Sequence, residues 1–320
     1  MNEKLIRLIL DFQESVQEAL KLMQRSGIKM PHNRNDWFKS DFSMIKELEN
    51  GVKYRKHGAG CWVNLDTGAV DFDFGEKGEI GGFNSWWLVL FAGKRLINYG
   101  FKDQKEVAKS LSKALDSKKL ISTDHDLYYI ANVPYIYAID IDSRLPGDML
   151  PSRNQDRILT LQSHYFLSAE LMLKNYDKLI EKLNKTNRLS QSKKIDMRIY
   201  FTTWLGFLAV VCEGFRKLNI HILLTNDRPD SFKKLLPISD NIGRLMKEHA
   251  DPLRNFRNNV FHLREDIDFA RYFFDKELER LSWARELHTA LVKFFSEYRI
   301  SCEVHYLING RKGECDLIKH

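Results

Sequence analysis

The sequence predicts an α+β protein: a small mixed domain, then an antiparallel helical bundle, then a C-terminal β-hairpin. Three observations carry this. Apolar residues recur at three and four over residues 2–25, the helical period. Between residues 54 and 74 the period drops to two. Helical spacing then returns for most of residues 156–298. The boundaries are 1–117 for the small α+β domain, 118–153 for a linker with extended segments, 154–300 for the bundle and 301–320 for the hairpin tail.

The first helix rests on Leu5, Leu8, Ile9, Phe12, Val16, Ala19, Leu20 and Met23, and Gly27 ends it. Residues 28–36 are loop-like, and a short helix follows from Trp37 to Leu48. Val70, Phe72 and Phe74 alternate with Asp71 and Asp73, which makes a strand with one wet face. Asp66-Thr67-Gly68 joins it to the preceding strand as a hairpin turn. Asn84 or Ser85 caps a helix through Trp87, Leu90 and Phe91, and a helix over 103–116 closes the domain. Residues 127–142 are aromatic and β-branched, hence extended, with Pro134 interrupting.

The bundle begins near Asn154. Long helices are predicted over 156–184, 196–219 and 269–298, with turns and a short helix over 229–247 and a separate helix over 251–264. The 196–219 helix is apolar nearly all round and is therefore central and buried. Asn309-Gly310 between Cys302–Ile308 and Arg311–Ile318 reads as a hairpin turn.

Composition narrows the function classes. Lys and Arg number 50 against 43 Asp and Glu, a formal net charge of +7, which permits RNA, DNA or an acidic protein as partner and requires none. Cys61, Cys212, Cys302 and Cys315 match no zinc spacing and read as reduced thiols. The first residues lack a signal-peptide pattern. The apolar run Ile199–Val211 is about thirteen residues, short of the roughly 20 a bilayer requires. The expectation is a cytoplasmic protein without a membrane partner.

The densest chemistry lies in residues 251–266, where three arginines, three asparagines and a histidine share one short helix. Arg254, Asn258 and His262 fall on one stripe, and Phe256, Val260 and Leu263 on the apolar one. Arg257 and His262 stand about 140° apart on an ideal helix, so a complete site needs something beyond this helix. A second protomer is the expected supplier.

The string Arg257-Asn258-Asn259-Val260-Phe261-His262, late in a bundle and preceded by the buried helix through Glu213-Gly214, resembles the signature of the HEPN (higher eukaryote and prokaryote nucleotide-binding) superfamily. The resemblance implies a metal-independent endoribonuclease, without a cofactor, acting as a homodimer in a bacterial toxin or antiphage system. His262 is then the base or acid, Arg257 the phosphate clamp and Asn258 an orienting residue. Glu213 anchors the arginine, with Arg254 in support. Arg244, Lys247 and Arg264, with Lys193, Lys194 and Arg198, are candidates for a basic rim against RNA. Beside this stands a non-catalytic, dimerising binding protein of the immunity type, in which Arg257 merely pairs with Glu213 or Glu265 and His262 packs. Nucleotide binding between bundle helices is a third reading.

The N-terminal strings His57-Gly58-Ala59-Gly60-Cys61, Val70–Gly75 and Gly82-Phe83-Asn84 with Trp86-Trp87 resemble a small bacterial domain of unknown function, found in some cases near toxin-immunity genes. That resemblance implies no reaction, though it leaves room for a protein partner. His57 and Cys61 lack the second pair a metal site needs, so close backbone packing at the glycines is the better reading. Asp71 and Asp73 suit Mg²⁺ in principle and a solvated sheet face more readily. Trp86-Trp87 and Phe294-Phe295 read as core before base-stacking platforms.

Overall fold

The computed structural model describes residues 1–123, 126–261 and 278–317. The fold is α+β, and the chain divides into two compact units: Met1–Leu145 together with Glu303–His320, and Pro146–Cys302.

The first unit is organised on α1 (Glu3–Arg25). Asn2 caps it by accepting from the Lys4 amide, Glu3 and Arg25 suit the helix dipole, and Gly27 turns the chain away at φ 104°. The eight apolar residues of its predicted face are all fully buried. Removing one, such as Leu8→Ala, costs about 2–5 kcal/mol. Helix α2 (Arg34–Lys39) is shorter than the sequence pattern suggested and brings Trp37 into the core, where its Nε1 donates to the Gly60 carbonyl at 3.0 Å.

Strands β1 (Tyr54–His57), β2 (Gly60–Leu65) and β3 (Gly68–Asp73) form an antiparallel meander whose buried face carries Cys61, Val63, Val70 and Phe72. Strand β4 (Glu79–Ile80), α3 (Ser85–Ala92, capped by Asn84) and α4 (Gln104–Asp116) follow.

Residues 118–145 are not a linker. Strand β5 (Leu120–Ser122) pairs with β6 (Tyr128–Ile130), and β7 (Ile136–Tyr137) pairs with β4. Leu120, Leu127, Tyr129, Ala138 and Ile141 belong to the same core as α1. Pro134 falls in the turn between strands, where its missing N–H is harmless.

In the second unit α5 (Arg157–Leu161) runs through a π-helical turn, Gln162–Phe166, into α6 (Leu167–Thr186). Then come α7 (Gln191–Lys217), α8 (Ile220–Asn226) and α9 (Leu236–Phe261). The last helix, α10 (Leu278–Ile308), contributes its residues up to Cys302 to this unit.

Three expectations are corrected here. Asp230–Leu235 is a 3-10 turn, as the connecting turns predicted there require, but from Leu236 to Phe261 the short helix and the separate 251–264 helix are one, with Pro252 inside it. Proline costs a helix an N–H bond and a clash, yet Leu245, Met246, Ala250, Leu253 and Phe256 keep one buried face across it. Burial of that face outweighs the local break.

The predicted C-terminal hairpin is helix as far as Ile308. Tyr298, Cys302 and Tyr306 recur at four and are fully buried, and Gly310 at φ 69° ends the helix with the Arg311 amide donating to the Tyr306 carbonyl. Asn-Gly serves a helix stop as well as a hairpin turn, because both use a left-handed residue.

The buried residues of α7 fall between Trp204 and Phe215, along one side of that stretch, while Ile195 and Ile199 nearer its start are exposed. At 27 residues, with a window of mean hydropathy 1.4, it is also long and apolar enough to cross a membrane by length and composition. The thirteen-residue count understated that run. A core helix meets the same criterion, and α7 packs along α6 and α9.

Candidate functional site: the α7–α9 seam

Gly206 lies where α7 meets the end of α9. A Cβ there would lie 2.3 Å from the Phe261 ring, so a larger residue would have to displace that side chain. Phe207 adds an edge contact to the same ring, with centroids 6.4 Å apart. Glu213 follows Gly206 by seven residues, two helical turns, and so returns to the same side of α7. Arg257 precedes Phe261 by four on α9. Antiparallel helices in that register bring Glu213 and Arg257 face to face. One turn further along, Arg216 meets Asp251 at 3.2 Å and donates to the Met246 carbonyl.

The Arg257 guanidinium is held on two sides. Its Nη1 donates to Glu213 Oε2 at 2.6 Å, and its Nε and Nη2 donate to Asn258 Oδ1 at 3.2 and 2.7 Å. One hydrogen on each terminal nitrogen is left over by this pattern. The Arg257 side chain is 20% exposed and that of Glu213 41%, so the pair sits at the lip of the seam, not inside it. A fixed, partly open guanidinium is suited to an anionic oxygen, above all a phosphate.

Arg254 lines a groove of about 340 Å³ with Glu213, Arg216, Lys217 and Ala250. Arg216 also lines a second groove of about 610 Å³ that carries Arg244, Lys247, His221 and Asp240. The two grooves adjoin at Arg216, which lines both. Arg244 is engaged by Asn241 and, at 3.5 Å, by Glu248.

Lys193, Lys194 and Arg198 stand apart from it. Arg198 precedes Glu213 by fifteen residues on α7, roughly 22 Å of helix. His262, Arg264 and Glu265 lie outside the described residues. Phe294 and Phe295 are buried core, whereas Trp86 is 58% exposed beside a buried Trp87.

Two histidine pairs escaped the sequence reading. His221 Nδ1 lies 2.7 Å from Asp240 Oδ1 in the second groove. In the first unit His57 Nε2 lies 2.7 Å from Asp71 Oδ1, and Nδ1 is 4.0 Å from Asp73. The hydrogen bond to the Asp71 carboxylate raises the His57 pKa above its ordinary value, against the opposing effect of burial. The Asp-Thr-Gly turn contained half of that register: pairing Leu65 with Gly68 places Gly60 opposite Asp73, and the separate β1–β2 pairing places His57 opposite Gly60.

Cys61 points into the core, and burial pushes its thiol up to about 12, so it forms no dyad with His57. A Cβ on Gly60 would lie 1.8 Å from the Phe72 carbonyl oxygen, which is the close packing that the glycines suggested. No group of three or more metal-ligating side chains occurs among the described residues.

No curated protein and no solved structure matches the chain. Within the first unit, residues 5–130 match the model of a family described as "Domain of unknown function (DUF6896)".

Proposed function

We propose that the helical unit binds RNA along the α7–α9 seam and cleaves it without a metal ion, as a HEPN-type endoribonuclease would. The observation that carries this reading is the Glu213–Arg257–Asn258 arrangement, in which a guanidinium is fixed by two neighbours yet left open to an anion. RNA brings its own nucleophile, the 2′-hydroxyl. His262, the residue after Phe261, takes the proton from that hydroxyl. Arg257 holds the phosphate and offsets the charge that builds on its oxygens as the 2′ oxygen bonds to phosphorus and the O–P bond to the 5′ oxygen breaks, that oxygen taking up a proton from water. Arg254, Lys247 and Arg244 track the backbone. A homodimer, cytoplasmic and in a toxin or antiphage setting, is the context this reading carries.

The test is cleavage of single-stranded RNA by the full chain in EDTA, with 2′,3′-cyclic phosphate ends as the product. His262→Ala and Arg257→Ala each lower the rate by about a hundredfold or more. Undiminished cleavage by both variants would sink the assignment. The same arrangement also supports a second reading, because Glu213 at 2.6 Å tethers α7 to α9 whatever the groove binds. A non-catalytic binding protein of the immunity type gives no cleavage by the wild type and a stable protein complex instead.

A further inference from the structure

The π-helical turn Gln162–Phe166 is the single π segment among the described residues. A π turn forgoes good helical hydrogen bonding to add a residue to the turn, and such turns are frequent at functional sites. This one forms a wall of a groove of about 600 Å³, on the opposite wall of which stand Val292, Ser296 and Arg299 of α10. That size falls within the roughly 300–1,000 Å³ typical of small-molecule sites.

The lining has two characters. Leu159, Phe166, Leu167 and Val292 make an apolar wall, and Leu167 and Val292 keep 48% and 37% of their surface exposed. Arg299, His164, Ser163 and Ser296 supply donors, and Glu170 is the one acid on the rim. Arg216, Arg228, Arg257 and Arg285 of the same unit are each drawn to a carboxylate. No ion pair engages Arg299 among the described residues. A cation, an imidazole and hydroxyls beside an apolar wall are complementary to an organic anion with a compact apolar body.

We infer that the groove between the π turn and α10 is a binding site for a small phosphorylated or carboxylated compound, its anionic head against Arg299 and His164 and its apolar body on Leu159, Leu167 and Val292. This site is separate from the α7–α9 seam and does not rest on the nuclease reading.

Calorimetry of the full chain with 1-naphthyl phosphate, inorganic phosphate and 1-naphthol tests it. Naphthyl phosphate binds at least about tenfold more tightly than either half, since each supplies one of the two contacts. Arg299→Glu and Leu167→Glu each weaken it by about tenfold or more. Both positions are exposed, so the melting temperatures stay at the wild-type value. Arg257→Ala leaves the affinity unchanged. Absence of binding by the wild type overturns the inference. So does equal affinity for naphthyl phosphate and phosphate, equal affinity in both glutamate variants, or loss of binding in Arg257→Ala.

Discussion

Two arginines of the helical unit meet carboxylates in opposite surroundings. Arg228 and Asp156 are 6% and 0% exposed, and the network around them is closed. Asp156 caps α5 through the Ile158 and Leu159 amides and accepts from Tyr298 at 2.6 Å. Tyr298 in turn accepts from Arg228 at 2.7 Å. Burial and the neighbouring Asp156 hold the Tyr298 hydroxyl well above its ordinary pKa, so it remains a donor. Arg257 and Glu213 form a shorter ion pair that is partly exposed, and Glu213 lines a groove. Ion-pair length therefore does not separate architecture from chemistry here. What separates them is whether hydrogen-bonding capacity is left over and accessible.

The closed network gives the largest expected effect. Asp156→Ala removes a helix cap and strands a buried guanidinium, at a cost of about 3–5 kcal/mol. The urea midpoint of the full chain reads this directly, and an unchanged midpoint would show that the network contributes nothing net. Next comes His288, 4% exposed, which accepts from Trp204 Nε1 at 3.3 Å and lies against Phe166. Burial lowers its pKa to about 4, so the folded state binds the proton less readily than the unfolded chain. Its stabilising contribution is full above about pH 6.5 and is lost as pH falls towards 4, on the order of 3 kcal/mol across that window. His288→Phe flattens this part of the acid limb, and an unaltered limb would remove His288 as its cause.

The half-open pair gives smaller effects on stability and, on the proposed nuclease function, larger ones on activity. Arg257→Lys keeps the charge and loses the planar fork, so RNA cleavage stays down by about a hundredfold. Glu213→Gln retains a hydrogen-bond acceptor for Arg257 and lowers cleavage by about tenfold. Both leave the urea midpoint within about 1 kcal/mol of wild type, because the pair is solvent-accessible. A midpoint loss as large as that of Asp156→Ala would move Arg257 into the same class as Arg228.

How far the sequence carried this contrast depends on the range of each interaction. The α1 face was legible residue by residue, since a single helical period against one core determines it. So was the α+β order, and the Glu213–Arg257–Asn258 grouping was anticipated from a motif and a preceding buried helix. The continuity of α9 through Pro252 was not, because a local rule lost to tertiary burial. Nor was the role of Asn309-Gly310, a dipeptide that two different structures use for the same left-handed geometry. The Asp156–Arg228–Tyr298 network joins residues up to 142 positions apart, and no periodicity encodes that. The π turn has no sequence signature at all.

His57 gives the smallest and most discriminating effect, because its sign is opposite to that of His288. Its side chain is 36% exposed and shares a hydrogen bond with Asp71 that raises its pKa. Protonated His57 therefore favours the folded state. The contribution is fully present below about pH 6.5 and disappears as pH rises through the folded-state value. Solvent screening holds it to under about 1 kcal/mol. The measurement is the difference in urea midpoint between wild type and His57→Gln from pH 5.5 to 9, which should be largest at the acid end and close to zero at the alkaline end. Asp71→Asn should show the same slope and high salt should shrink it, since both act on the charged pair. A difference that grows with pH would mean that His57 acts as a neutral, desolvated group like His288, and the strand-face pair would then belong with the closed interior instead of the open surface.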